Sequence, residues 1–144
     1  MTDATTTERN RKLIEGIFAE LANNNPRPFA DAFADDVRWI TPGSSVWSRT
    51  FTGKQAVLND LLGMVRQQLV ERVRLTVLRI LADGEYVIVQ AEGRAATKKG
   101  KPYNNAYCFL YRIAGDKITE VTEYLDTELA SAVLDAPWAA TRPA

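Results

Sequence analysis

Two hydrophobic rhythms run along the chain, and the change from one to the other divides it. Leu13, Ile14, Ile17, Phe18 and Leu21 recur at the three- and four-residue spacing of a helix with one apolar face. Thr5-Thr6-Thr7-Glu8 ahead of them has the form of a capping box, with Thr5 as cap and Glu8 reaching back, and Asn23-Asn24-Asn25-Pro26 ends the run. A short helix over Pro28 to Ala34 would bury Phe29 and Phe33. Val37 to Ile40 reads as a short strand closed by Pro42-Gly43-Ser44-Ser45. Thr52-Gly53-Lys54-Gln55 is a second capping box, and Val57, Leu58, Leu61, Leu62, Val65 and Leu69 behind it form the apolar face of a third helix.

After Glu71 the spacing becomes alternation. Val73, Leu75 and Val77 alternate with Arg72, Arg74 and Thr76, the signature of a strand. Asp83-Gly84 reads as a hairpin turn, Tyr86 to Ala96 as the next strand, and Lys98-Lys99-Gly100-Lys101 as a solvated tip. Tyr103 to Ile113 is a further long strand, Gly115-Asp116 a turn, and Ile118 to Leu125 the last strand. Thr127 to Leu134 predicts a final helical turn or two, and the tail from Pro137 should be loosely held. Helices first and antiparallel strands after imply an α+β layer architecture, in which a long twisted sheet curls and the helices cover part of one face. Residues 1–144 then make one domain, its core about residues 8–132, enclosing a cavity.

Composition narrows the function more by what it lacks. Lys plus Arg and Asp plus Glu are 18 each, so the chain has no basic excess for nucleic acid or for an anionic membrane surface. The residues from Met1 to Arg11 are polar, and no apolar run is long enough to span a bilayer. The lone cysteine, Cys108, forbids an internal disulfide and suits a reducing compartment, so a cytoplasmic location is expected. There is no histidine. Ser-His-Asp and Cys-His catalysis are therefore excluded, as are metal sites built on imidazole. Acid–base chemistry must fall to carboxylates, Tyr, Lys, Cys or water, and no metal or other cofactor is expected.

Phe33-Ala34-Asp35-Asp36-Val37-Arg38-Trp39 followed by Pro42, then Tyr103-Asn104-Asn105-Ala106-Tyr107, Gly115-Asp116-Lys117-Ile118 and Glu123-Tyr124-Leu125-Asp126-Thr127, carry a family resemblance. They resemble the SnoaL-like, ketosteroid-isomerase-like branch of the nuclear transport factor 2-like superfamily over about residues 8 to 132. The resemblance implies a cone-shaped fold, with three N-terminal helices packed on a curved, mainly antiparallel sheet. That fold hosts isomerases, cyclases, hydrolases and proteins without catalysis, so the chemistry has to be argued from the site. Carried over by position, the ketosteroid isomerase groups fall on Thr41 for the base, near Ile17 or Phe18 for the tyrosine, and near Cys108 for the protonated acid. None of these supplies the required group, which argues against steroid isomerisation by that route.

The catalytic carboxylate of similar polyketide cyclases and epoxide hydrolases falls on Glu123. Glu92 and Arg94, two apart on one strand, share a face, and an arginine beside carboxylates can polarise a carbonyl or epoxide oxygen. The Asp-Arg-Asp arrangement of such hydrolases is broken here, because the position two residues after Arg94 is Ala96. An outer-face salt bridge is the competing reading of that pair. If Gly115-Asp116 is a two-residue turn, Cys108 lies opposite Glu123. The inward face is then Asn104, Ala106, Cys108, Leu110, Val121, Glu123 and Leu125, and the aromatic row Tyr107, Phe109, Tyr111 and Tyr124 faces out as a homodimer interface. A three-residue turn would exchange the faces. Trp39, Trp47 and Phe51 either wall the pocket mouth or belong to the core.

The expected catalytic residues are thus Glu123, Arg94 and Glu92. The expected substrate-binding residues are Trp39, Thr41, Trp47, Asn104, Cys108 and Val121, and the expected ligand is a hydrophobic small molecule. Two functions remain: a cofactor-independent acid–base enzyme of isomerase, cyclase or hydrolase type, and a non-catalytic binding or accessory protein using the same pocket.

Overall fold

Helix α1, Ala4–Ala22, turns Ile14, Ile17 and Phe18 inward, as its apolar spacing requires. The computed structural model describes residues 4–141. The helix is already formed at Ala4, so Thr5 lies within it and does not cap it. The hydroxyl that does structural duty there is that of Thr7, which accepts from Gly84 N at 2.9 Å, while Asn10 Nδ2 donates to Gly84 O at 2.9 Å. Two side chains of α1 thereby grip a hairpin far along the chain.

α2, Arg27–Ala32, ends two residues before the expected Ala34, and β1, Phe33–Ile40, begins at once where it ends. Phe33 is buried as expected, but on a strand. A three-residue strand β2, Thr50–Thr52, pairs with the end of β1 and takes up Thr52, whose backbone pairs with Arg38; the second capping box is therefore not formed. The third helix is π-wound over Ala56–Gly63 and becomes α3 over Met64–Gln68. Then come β3, Arg74–Asp83, β4, Tyr86–Arg94, β5, Ala106–Ala114, and β6, Lys117–Leu125; β3 continues past Val77 to Asp83, β4 ends two residues before Ala96, β5 begins three residues after Tyr103 and β6 begins one residue before Ile118. The β3–β4 turn is Gly84-Glu85, one residue later than Asp83-Gly84, since Asp83 still pairs with Tyr86. α4, Thr127–Val133, is capped by Asp126, whose carboxylate accepts from Leu129 N at 3.1 Å.

The six strands form one curved mixed sheet in the order β2-β1-β6-β5-β4-β3. Every neighbouring pair is antiparallel except β1 and β6, which run parallel. The helices lie on one face, so the architecture is α+β.

The register of β5 on β6 decides which face is inside. Gly115-Asp116 is a two-residue turn with φ of 56° and 60° at its two positions, as a tight right-twisting hairpin requires. From that turn alone Cys108 would oppose Glu123. The register shifts, however, between Arg112 and Ile113: Ile113 pairs with Ile118 and Arg112 with Glu120, so Thr119 is an extra residue. Beyond this bulge Phe109 opposes Glu123 and Cys108 opposes Tyr124.

The expected faces of β5 are therefore exchanged, whereas on β6 Val121, Glu123 and Leu125 face inward and Tyr124 outward as expected. Tyr107, Phe109 and Tyr111 are buried against the helices, with Phe18 packed on Phe109 and Tyr111 at ring separations of 6.4 and 6.0 Å. They form no outer interface. Of that row only Tyr124 faces outward, 50% exposed. Gly93 makes the inward stacking feasible, because a side chain there would meet the Tyr107 ring at 2.8 Å. Of the tail, Pro137–Thr141 is better held than its composition suggests, and residues 142–144 lie outside the described residues. Trp138 packs edge-on against Trp47 at 5.1 Å and donates its indole N–H to Val46 O at 2.7 Å.

Candidate functional site

The space between the sheet and the helices is an apolar cavity of about 350 Å³. Phe18 and Leu21 of α1, Phe29 of α2, and Leu58, Leu61, Leu62 and Val65 of the third helix wall one side. Trp39, Phe109 and Tyr111 of the sheet form the other, and Ala130 of α4 and Leu134 just after it close the space. Polar groups in this lining are few: Thr41, three tyrosines, Glu123, and two arginines, Arg66 and Arg72.

Glu123 is the acid in this wall. Trp39 donates its indole N–H to Glu123 Oε1 at 3.1 Å, and the Thr41 hydroxyl donates to the same oxygen at 3.4 Å. Both donors lie on or just past β1, which the parallel pairing lays beside β6 with Trp39 opposite Val121. Among the described residues nothing donates to Oε2. Burial among apolar side chains pushes the carboxyl up to about 7 from an ordinary 4.5, and the two hydrogen bonds pull it back only in part. Among the described residues no arginine offsets this shift.

A second polar group sits at the start of β5. Asn105 is buried and fully engaged: its Oδ1 accepts from Ala106 N at 2.7 Å and Asp126 N at 2.9 Å, and its Nδ2 donates to Asp126 O at 3.0 Å and to Tyr103 Oη at 3.3 Å. Tyr103 also hydrogen-bonds Tyr107, and both phenols are raised above their ordinary values chiefly by burial. Tyr103, Tyr107 and Tyr111 all lie close enough to Glu123 for its charge to raise them further.

The matched family model is that of the SnoaL-like domain, over residues 14–121. The chain belongs to this family. Solved structures give the same fold at low identity. The protein Bal32a, from a soil-derived mobile gene cassette, is 17% identical with a TM-score of 0.77, covering 90% of this chain and 99% of its own. An NTF2-like protein of unknown function from Burkholderia pseudomallei K96243 is 18% identical with a TM-score of 0.73, covering 88% and 98%. TerC, co-crystallised with polyporic acid, is 19% identical with a TM-score of 0.70, covering 86% and 96%. Among curated proteins no sequence matches.

This SnoaL-like domain gathers some of the expected site residues and separates others. Glu123, Trp39, Thr41 and Trp47 line one cavity, and Val121 is buried beneath it on the same face of β6. Glu92 and Arg94 do not join them. They are exposed on the outer face of β4, paired with Thr76 and Arg74 of β3, because the inward positions of that strand are Val87, Val89, Ala91 and Gly93. Cys108 and Asn104 are corrections of the same kind. The bulge at Thr119 turns Cys108 outward opposite Tyr124, and Asn104 is exposed, its Oδ1 accepting from Ala95 N at 3.3 Å. Phe51 belongs to the core beside Trp138. Trp47 is buried with its indole N–H unpartnered among the described residues. Arg66, Arg72 and the inward tyrosines were not expected in the lining. The helical spacing of Leu62, Val65 and Leu69 could have placed Arg66 at its edge, but no local signal announces the bulge. Among the described residues no three His, Cys, Asp or Glu side chains gather where one metal ion could bind, and no helix is long and apolar enough to cross a membrane.

Proposed function

We propose that this SnoaL-like domain is a cofactor-independent acid–base enzyme, of isomerase, cyclase or hydrolase type, that moves a proton on a hydrophobic small molecule with Glu123 as the acid–base group. The observation that carries the reading is the state of that carboxyl. Among the described residues it is the single acid of an apolar cavity, one oxygen is fixed by Trp39 and Thr41, the other has no donor, and its pKa is raised to about 7. A group titrating there both accepts and returns a proton near neutral pH, which is what a general acid–base catalyst needs. Tyr103 supports it. With Asn105 donating to its oxygen, the Tyr103 proton is available to hydrogen-bond a substrate oxygen. The neighbour TerC was co-crystallised with polyporic acid, which is in keeping with a small organic ligand.

The deciding experiment assays activated ketones, enols and epoxides with the wild type and Glu123→Gln. Removal of a true acid–base group lowers turnover by about a hundredfold to ten-thousandfold. Turnover at the wild-type rate would refute the role of Glu123. No turnover at all, with apolar ligands bound equally by both proteins, would make the chain a binding or accessory protein.

The same reading includes a homodimer through the open face of the sheet. Tyr124, Leu81 and Tyr86 are exposed there at 50%, 55% and 42%, with Ile88 and Leu110 paired between them. The helices all cover the opposite face, so a second copy is the natural cover for this one. A cytoplasmic location fits the single, unpaired cysteine.

A further inference from the structure

The cavity wall carries three charged side chains, Glu123, Arg66 and Arg72. Only the two arginines among all the lining residues are exposed, so they mark where the cavity meets water. Their stems line the apolar wall and their heads reach the rim. Each engages a single neutral acceptor: Arg66 Nη1 donates to Leu69 O at 3.1 Å, and Arg72 Nη1 donates to Asn24 Oδ1 at 3.2 Å. Neither is in an ion pair among the described residues, and Glu71, beside Arg72, is turned to Arg74 at 4.0 Å. A guanidinium has five N–H donors in a planar fork suited to oxyanions, so most of this capacity is unspent on protein.

We propose that the cavity takes an amphipathic anion, with its apolar body inside and a carboxylate, sulfonate or phosphate held at the rim by Arg66 and Arg72. This rests on the cavity being the ligand site, as in the function proposed above. The converse orientation is unfavourable, because the inner wall offers an anionic group no cation and the wrong-signed Glu123. The arginines therefore fix direction: charge outward, the end opposite it toward Glu123.

Two probes that share one ring system separate the terms. 8-Anilinonaphthalene-1-sulfonate carries the anionic group, and N-phenyl-1-naphthylamine is the same body without it. Fluorescence titration at neutral pH is expected to give the sulfonate about tenfold the affinity of the neutral probe, with the preference shrinking in high salt. Arg66→Gln/Arg72→Gln should abolish that preference and leave the neutral probe unchanged, which also reports an intact cavity. Arg66→Lys/Arg72→Lys should retain part of it. Equal binding of the two probes by the wild type, or equal weakening of both in the glutamine variant, overturns the proposal. Glu123→Gln should leave the probe preference intact, so the catalytic reading can fail while this one stands. If neither probe binds at all, the cavity is not a ligand site and both readings fall together.

Discussion

Trp39 reaches across the parallel strand pair to donate its indole N–H to Glu123 at 3.1 Å. A core aromatic thus sets the charge state of the cavity acid. The bond favours the ionised carboxylate, against the burial that disfavours it. Trp39→Phe keeps a ring in the wall but removes the donor, leaving only the longer Thr41 bond. The Glu123 pKa should then rise further above about 7. The protonated-carboxyl infrared band, followed against pH, checks this, and a midpoint that stays or falls would contradict it. The smaller ring should also cost about 1–3 kcal/mol in stability.

Glu123 itself should make the fold less stable as pH rises. Its folded pKa lies above its ordinary value, so between 4.5 and about 7 the native state holds a proton that the unfolded chain has released. Stability is then highest below that window, falls through it, and levels off above it. The full loss is at most about 3.5 kcal/mol, taking about 1.4 kcal/mol for each unit of pKa difference. In Glu123→Gln this slope should vanish. The variant should match the wild type near pH 4 and exceed it near pH 8.5 in denaturant unfolding.

Tyr103→Phe tests the second polar group. Asn105 keeps its bonds to Ala106 and Asp126, so the loss in stability should be about 1 kcal/mol. If the Tyr103 hydroxyl holds a substrate oxygen, kcat should fall by about a hundredfold with KM much less affected. An unchanged kcat on a substrate that needs Glu123 would restrict Tyr103 to the wall.

The outer face gives a prediction about assembly. Light scattering should find a dimer at micromolar concentration, and Tyr124→Glu or Leu110→Glu should convert it to a folded monomer. Tyr111→Glu, by contrast, should unfold the chain, because Tyr111 is only 1% exposed in the core. A wild-type monomer would remove the second copy as the cover of this face.

Much of the architecture was legible in the sequence because apolar period is a local signal. The helical face of Leu13 to Leu21, the alternation after Glu71 and the Gly115-Asp116 turn are written in adjacent residues. Glu123 and Trp39 were legible by resemblance, and their meeting is found in the structure. What could not be read depends on non-local pairing. The parallel contact of β1 with β6 joins residues some eighty positions apart. Strand β2 is too short to show a period. The outward turn of Cys108 and the exposure of Glu92 and Arg94 follow from registers that no single strand specifies.

The bulge at Thr119 has a consequence for how such a chain can change. Strand alternation is a matter of odd and even, and one unpaired residue changes the parity of everything beyond it. Were Thr119 to pair with Arg112 in an unbulged strand, Glu123 would move to the exterior and Thr122 and Tyr124 would face the cavity, whereas deleting Thr119 would restore plain alternation and leave Glu123 inside opposite Phe109. Adding two residues at the Gly115-Asp116 tip would preserve parity and leave the interior as it is. Relatives in this family that lack the unpaired residue should therefore have an unbulged last strand and keep their interior acid opposite the same position of β5.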